Sequence, residues 1–106
     1  MNGARPVIIA GNWKMNTTPG TAGALAADIA AATNVDGVKR VICPPFVCLR
    51  AVVDVLHGTS VEVGAQNVHW EPAGAYTGEI SAQMLVGLAA WSGVAGVCVQ
   101  PFWAAG

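Results

Sequence analysis

Four apolar residues in a row, Val7, Ile8, Ile9 and Ala10, run directly into Gly11-Asn12-Trp13-Lys14-Met15-Asn16. An unbroken apolar run, as opposed to an alternating one, predicts a strand covered on both faces, as in parallel sheets and α/β barrels. Gly11 lets the backbone turn, which places Asn12 and Lys14 where the strand meets its loop. Thr17-Thr18-Pro19-Gly20-Thr21 then offers helix N-cap residues and a proline suited to the first turn. From Ala22 to Thr33 the larger apolar residues Leu25 and Ile29 stand four apart among alanines, with Asp28 off that stripe, which predicts an amphipathic helix. Asn34-Val35-Asp36-Gly37 ends it through left-handed and turn chemistry.

The pattern then repeats. Val38 to Cys43 reads as a second strand, stopped by Pro44-Pro45, which cannot continue a ladder. Phe46, Leu49, Val53 and Leu56 follow at helical steps of three and four. His57-Gly58 closes that helix, with His57 placed to interact with its last carbonyls. Val61 to Ala65 is a third strand, Val61, Val63 and Ala65 on one face and Glu62 and Gly64 on the other. A long loop without a secondary-structure pattern, Gln66 to Glu79, comes next, and such loops usually serve a function. It contains Asn67, His69, Trp70, Pro72 and Tyr76, and His69 reads by itself as a packed or solvent-facing histidine. Strand and helix in alternation specify right-handed βαβ units and a parallel sheet. Function on that scaffold gathers at the carboxyl ends of the strands, where Asn12, Lys14, Gln66 and Asn67 fall.

Composition sharpens this picture. Of 106 residues, 54% are apolar and only 10% charged, far from disorder and poor in charge for the surface of a monomer. The net charge of -1 with five basic residues leaves no electrostatic footprint for nucleic acid or an anionic membrane. The uncharged run from Ile80 to Gly106 is interrupted by glycines, Gln83, Ser92, Gln100 and Pro101, so it does not read as a membrane span. Cys43, Cys48 and Cys98 lack the C-x-x-C spacing of a zinc or redox site, and no metal site is expected. They read as reduced, buried thiols of a cytoplasmic protein. Met1 to Pro6 carries one cation and no long apolar segment, a short leader only.

Taken singly, Lys14 would be a solvated loop lysine. Its surroundings say otherwise. Gly11-Asn12-Trp13-Lys14-Met15-Asn16, Ile42-Cys43-Pro44-Pro45-Phe46, Gly64-Ala65-Gln66-Asn67-Val68 and Gly74-Ala75-Tyr76-Thr77-Gly78-Glu79-Ile80-Ser81 resemble, in order and at compatible spacing, the triosephosphate isomerase family. The resemblance implies an α/β fold, the first three to four βα units of a (β/α)8 barrel, a fold that takes about 250 residues. It implies an isomerase of glycolysis and gluconeogenesis, interconverting dihydroxyacetone phosphate and glyceraldehyde 3-phosphate through an enediol without a cofactor, as a homodimer in the cytoplasm. The lysine matching Lys14 contacts the substrate phosphate and the developing enediolate, and the asparagine matching Asn12 helps place the substrate. The loop resembles the family's interdigitating loop. Thr77 then reaches toward the partner's active-site asparagine, with Met15 near the same contact and Gln66, Asn67 and Glu79 at the same interface.

After Leu88 the resemblance ends, so the chain reads as one partial barrel domain, 1–88 family-like and 89–106 a divergent tail. The family's Gly-His-Ser-Glu-Arg strand end, its base glutamate and its lid have no counterpart here, and Glu71 and Glu79 match loop positions instead. Gln100-Pro101-Phe102-Trp103-Ala104, written as codons and read one base later, permits Ser-His-Ser-Gly-Arg, so a frameshift is a hypothesis for the tail. The coding DNA past codon 106 decides it: a downstream frame lacking the remaining barrel strands would end the idea. From the sequence, the truncated chain is expected to be inactive alone and to aggregate or stay molten, because open strands and helix faces have few charges to blunt them. An alternative makes it a non-catalytic protein that binds a full-length subunit through Gln66 to Glu79. A phosphate-binding module is a third reading, weakened because no glycine-rich phosphate loop follows a strand.

Overall fold

The computed structural model describes Arg5, residues 7–88 and the backbone of residues 94–97. Strand β1 is Val7–Asn12, helix α1 Pro19–Ala32, β2 Val38–Cys43, α2 Leu49–Leu56, β3 Glu62–Ala65, α3 Ala82–Leu88 and β4 Val94–Val97. The four strands form one parallel sheet in the order β1-β2-β3-β4.

Register sorts the side chains. Val7 aligns with Val38 and Asn12 with Cys43, while Val41 aligns with Glu62 and Ile42 with Val63. Aligned residues of parallel neighbours share a face, so Ile8, Ala10 and Asn12 lie on one side with Lys39, Val41, Cys43, Glu62 and Gly64. The other side carries Ile42, Val63 and Ala65 into a core with Leu49, Val52, Val53 and Leu56 of α2, Ala22 and Ala26 of α1, and Leu85 of α3. Among the described residues the helices thus cover one face. On the open face Lys39 Nζ and Glu62 Oε2 form an ion pair at 3.3 Å. Sequential parallel strands with helices on one side are the arrangement of a barrel's first four βα units.

Packing corrects several expectations. β1 was expected to be covered on both faces, yet Val7, Ile8 and Ile9 are 52%, 54% and 60% exposed. Its apolar run suits a strand with neighbours on each side, and among the described residues β1 pairs with β2 alone. In α1 the buried positions are Ala22 and Ala26, while Leu25 is 39% exposed. Small residues win because α1 lies close against α2: a methyl group on Gly23 would stand 3.1 Å from Val55 Cγ2. The helix begins at Pro19, in the first turn as its sequence suggests, with extended Thr18 at its cap accepting from the Thr21 and Ala22 amides through its carbonyl.

Phe46–Cys48 forms a 3-10 turn ahead of α2, and Phe46 is exposed, so it leaves the stripe formed by Leu49, Val53 and Leu56. The short helix α3 was not expected. Its signal is Ser81, whose Oγ accepts the Met84 amide at 3.2 Å, a helix N-cap. The three thiols were expected to be reduced; Cys48 is free and buried, but Cys43 is disulfide-bonded, and Cys98 lies outside the described residues. Burial in an apolar run does not discriminate the two states. Arg40 is buried, donating to the Ala30 carbonyl and the Thr33 and Ser60 hydroxyls, so a cation sits at the carbonyl end of α1 where the helix dipole favours it.

Candidate active site at the carboxyl ends of the strands

The end of β1 is held in a conformation that a lysine rarely adopts. Lys14 has φ 58°, in the left-handed region. Such a conformation persists only where the surroundings enforce it. Here the Lys14 amide donates to Asn12 Oδ1 at 2.9 Å, and its carbonyl accepts from Gln66 Nε2 at 2.9 Å. Gln66 Nε2 also donates to the Cys43 carbonyl at 2.8 Å, and the Trp13 amide donates to the same oxygen at 3.1 Å. Asn16 Nδ2 closes the turn on the Trp13 carbonyl at 3.0 Å. One glutamine at the end of β3 therefore ties the ends of β1 and β2 together.

This leaves two donors at the strand ends. With Oδ1 spent on the Lys14 amide, the Asn12 Nδ2 protons have no protein acceptor among the described residues, and no carboxylate there pairs with Lys14. The Lys14 side chain is exposed. An ammonium and an amide are both donors suited to an anionic oxygen.

The loop from Gln66 to Glu79 folds on its own rings. His69 is buried, its ring centroid 4.5 Å from Trp70 and 4.3 Å from Tyr76, so of the two readings, packed or solvent-facing, the structure selects the packed one. The His69 amide donates to the Ile80 carbonyl at 2.7 Å, and Asn67 Nδ2 reaches Glu79 Oε1 at 3.3 Å. Asn67 Oδ1 is buried with no hydrogen-bond partner among the described residues. Gly74, at φ +135°, leaves room for the Tyr76 ring, which a methyl group there would meet at 2.8 Å. A cavity of about 300 Å³ lies along this loop, lined among others by His69, Glu71, Glu79 and Met84.

The structure thus brings Gln66 to Lys14 and Asn67 to Glu79. Met15 (93% exposed) and Thr77, also exposed, take no part in these bonds, while Trp70 at 68% and Tyr76 at 45% add apolar surface. The sequence placed Gln66 at a strand end without revealing that its amide braces Lys14. Gln66→Ala removes two donors, each worth about 0.5–1.5 kcal/mol. Hydrogen exchange of the Lys14 amide should then speed up by roughly tenfold or more; unchanged exchange would show that the backbone holds the turn without Gln66.

The fold defines a segment of a (β/α)8-barrel protein that carries an exposed, left-handed lysine after its first strand. The sequence profile described as Triosephosphate isomerase matches residues 7–96. The triosephosphate isomerase of Dehalococcoides mccartyi strain 195 is 48% identical over 82 residues, which cover 76% of this chain and 33% of that protein. That of Clostridium botulinum strain Loch Maree is 48% identical over 81 residues, 76% of this chain and 33% of the relative. The crystal structure of triosephosphate isomerase from Bartonella henselae superimposes with a TM-score of 0.71 at 41% identity, over 80% of this chain and 35% of that one. The chain belongs to the triosephosphate isomerase family, and it spans about a third of the length of the relatives it matches.

Proposed function

We propose that the chain carries the substrate-anchoring part of a triosephosphate isomerase site. Asn12 places the triose phosphate, and Lys14 binds its anionic oxygens and the enediolate that forms on proton transfer. The observation that supports this most is the left-handed Lys14, fixed between Asn12 Oδ1 and Gln66 Nε2. Holding that backbone costs on the order of 1–3 kcal/mol, and functional sites are where such a cost is found. No cofactor enters this chemistry. The proposal includes a single partial-barrel domain over 1–106, a cytoplasmic location and a homodimer with Met15, Gln66, Asn67, Thr77 and Glu79 at its interface. No helix among the described residues is long and apolar enough to cross a membrane.

A chimera tests the site. Residues 1–88 joined to the complementary remainder of the Dehalococcoides mccartyi enzyme should turn over glyceraldehyde 3-phosphate, and Lys14→Ala should lower kcat/KM by about 10²–10³-fold, the effect of removing one charge-stabilising donor. A folded chimera without activity, or one indifferent to Lys14→Ala, would refute the anchoring role.

A second reading, binding to a full-length subunit without catalysis, draws on the exposed Met15, Trp70 and Tyr76. Mixed with the intact relative, the chain should form a species of intermediate mass. Absence of that species, or its persistence in Trp70→Ser with undiminished affinity, would count against the loop as an interface.

A further inference from the structure

Toward the amino ends of the strands, away from Asn12 and Lys14, an arginine is buried without a carboxylate partner among the described residues. Arg40 of β2 is 9% exposed and, two residues before Ile42, lies on the face that the helices cover. The carboxylates in ion pairs there are Glu62, with Lys39, and Asp54, with Arg50. A buried charge is costly unless it is paired and hydrogen-bonded. Hydrogen bonds meet that need only in part. A guanidinium carries two N–H on each Nη and one on Nε. Nη1 donates to the Ala30 carbonyl and to Thr33 Oγ1, and Nη2 donates to Ser60 Oγ. Nε–H and the second Nη2–H have no acceptor among the described residues.

The unused donors belong to a residue that lines a cavity. A space of about 410 Å³ lies between α1 and α2, with Arg40, Ser60 and Asn34 as its polar wall and Ala27, Ala31 and Val55 as its apolar one. The walls come from residues 27–60, and no carboxylate is among them; Asp28 and Asp36, close in sequence, are exposed and do not line it. Ser60 Oγ accepts from Arg40, which leaves the hydroxyl proton to donate.

We infer that this cavity binds a small organic oxyanion, a carboxylate or a phosphate ester. Its charged end takes the unused N–H groups of Arg40 and the Ser60 hydroxyl, and its aliphatic part lies against Ala27, Ala31 and Val55. The planar guanidinium matches two oxygens of such a group. Mostly apolar walls with a few polar groups are the usual form of a small-molecule site, at about 300–1,000 Å³. Capping of α1 accounts for Nη1 on the Ala30 carbonyl, but not for Nε, for the second Nη2–H or for the cavity. The site stands at the other end of the strands from Lys14, so it does not depend on the function proposed for that lysine.

Isothermal titration calorimetry of the 106-residue chain tests this with inorganic phosphate and butyrate as probes, in chloride buffer of constant ionic strength. At least one probe should bind saturably, once per chain, with a Kd of about 1 mM or lower, and the tighter of the two identifies the charged group. Binding should persist in Lys14→Ala, which separates the cavity from the strand-end lysine. Arg40→Met should weaken it by about tenfold or more, the effect of losing one hydrogen bond to a charged group. Arg40 also holds α1, so a second variant leaves it in place. Ala31→Glu changes an exposed helix position that lines the cavity, supplies the missing carboxylate from within, and should abolish binding with the far-ultraviolet dichroism unchanged. No saturable binding to the parent, equal competition by chloride, loss of binding in Lys14→Ala, or binding undiminished in Ala31→Glu would each overturn the inference.

Discussion

No turnover of glyceraldehyde 3-phosphate above background is the expected result of a coupled assay on the purified 106-residue chain, although Asn12 and Lys14 are in place. Moving a proton between two carbons requires a base at the strand ends, and the chain has six carboxylates with which to provide one. Asp28 lies on α1 and Asp36 in the turn before β2, while Asp54 is bound to Arg50 on α2. Glu62 is paired with Lys39, and Glu79 accepts from Asn67. Glu71 lines the cavity along the loop with His69. The two histidines are no better placed as electrophiles: His57 caps the end of α2, which leads back to the start of β3, and His69 is buried among rings. A general base contributes about 10²–10⁴-fold and one oxyanion donor about 10²–10³-fold. Losing both takes the rate below detection. Lys14→Ala serves as the control for contaminating enzyme, and turnover that vanishes with this substitution would mean that a carboxylate assigned here to another task acts as the base.

The parts of the fold that could be read from the sequence are those set by local chemistry. Pro44-Pro45 ended β2 where expected, Val61, Val63 and Ala65 turned to one face, and the collinear motifs led to the right family. What could not be read depended on who the neighbours are. Val7 to Ile9 record a fully covered environment in their composition, but exposure depends on strands and helices that the pattern cannot supply. The Leu25 and Ile29 stripe was plausible by spacing, and the close approach of α1 to α2 through Gly23 overrode it in favour of alanines. The position of Asn12 and Lys14 at the end of β1 was legible because both follow directly from the apolar run, two residues apart. The Gln66 tie was not, since it joins residues 52 positions apart, and the left-handed backbone of Lys14 has no sequence signature outside glycine and asparagine.

That difference between spacing and packing can be measured with two leucines. Leu49→Ala should destabilise the chain by about 2–5 kcal/mol, the usual effect of emptying a buried leucine site. Leu49 is 1% exposed and packs in the core where α1 and α2 meet the sheet. A domain of this size is stable by about 5–15 kcal/mol, so the loss approaches the whole margin, and dye binding with weakened near-ultraviolet dichroism should accompany it. Leu25→Ala removes the same atoms from a position 39% exposed, where they have little packing to lose. Its cost should stay within about 1 kcal/mol, offset in part because alanine is the better helix former. Urea unfolding of parent and variants at one protein concentration provides the comparison, since any association adds to apparent stability. Equal losses at the two positions, or a larger one at Leu25, would mean that α1 turns its leucine and not its alanines toward the sheet. In that case the close contact between Gly23 and Val55 could not exist as described.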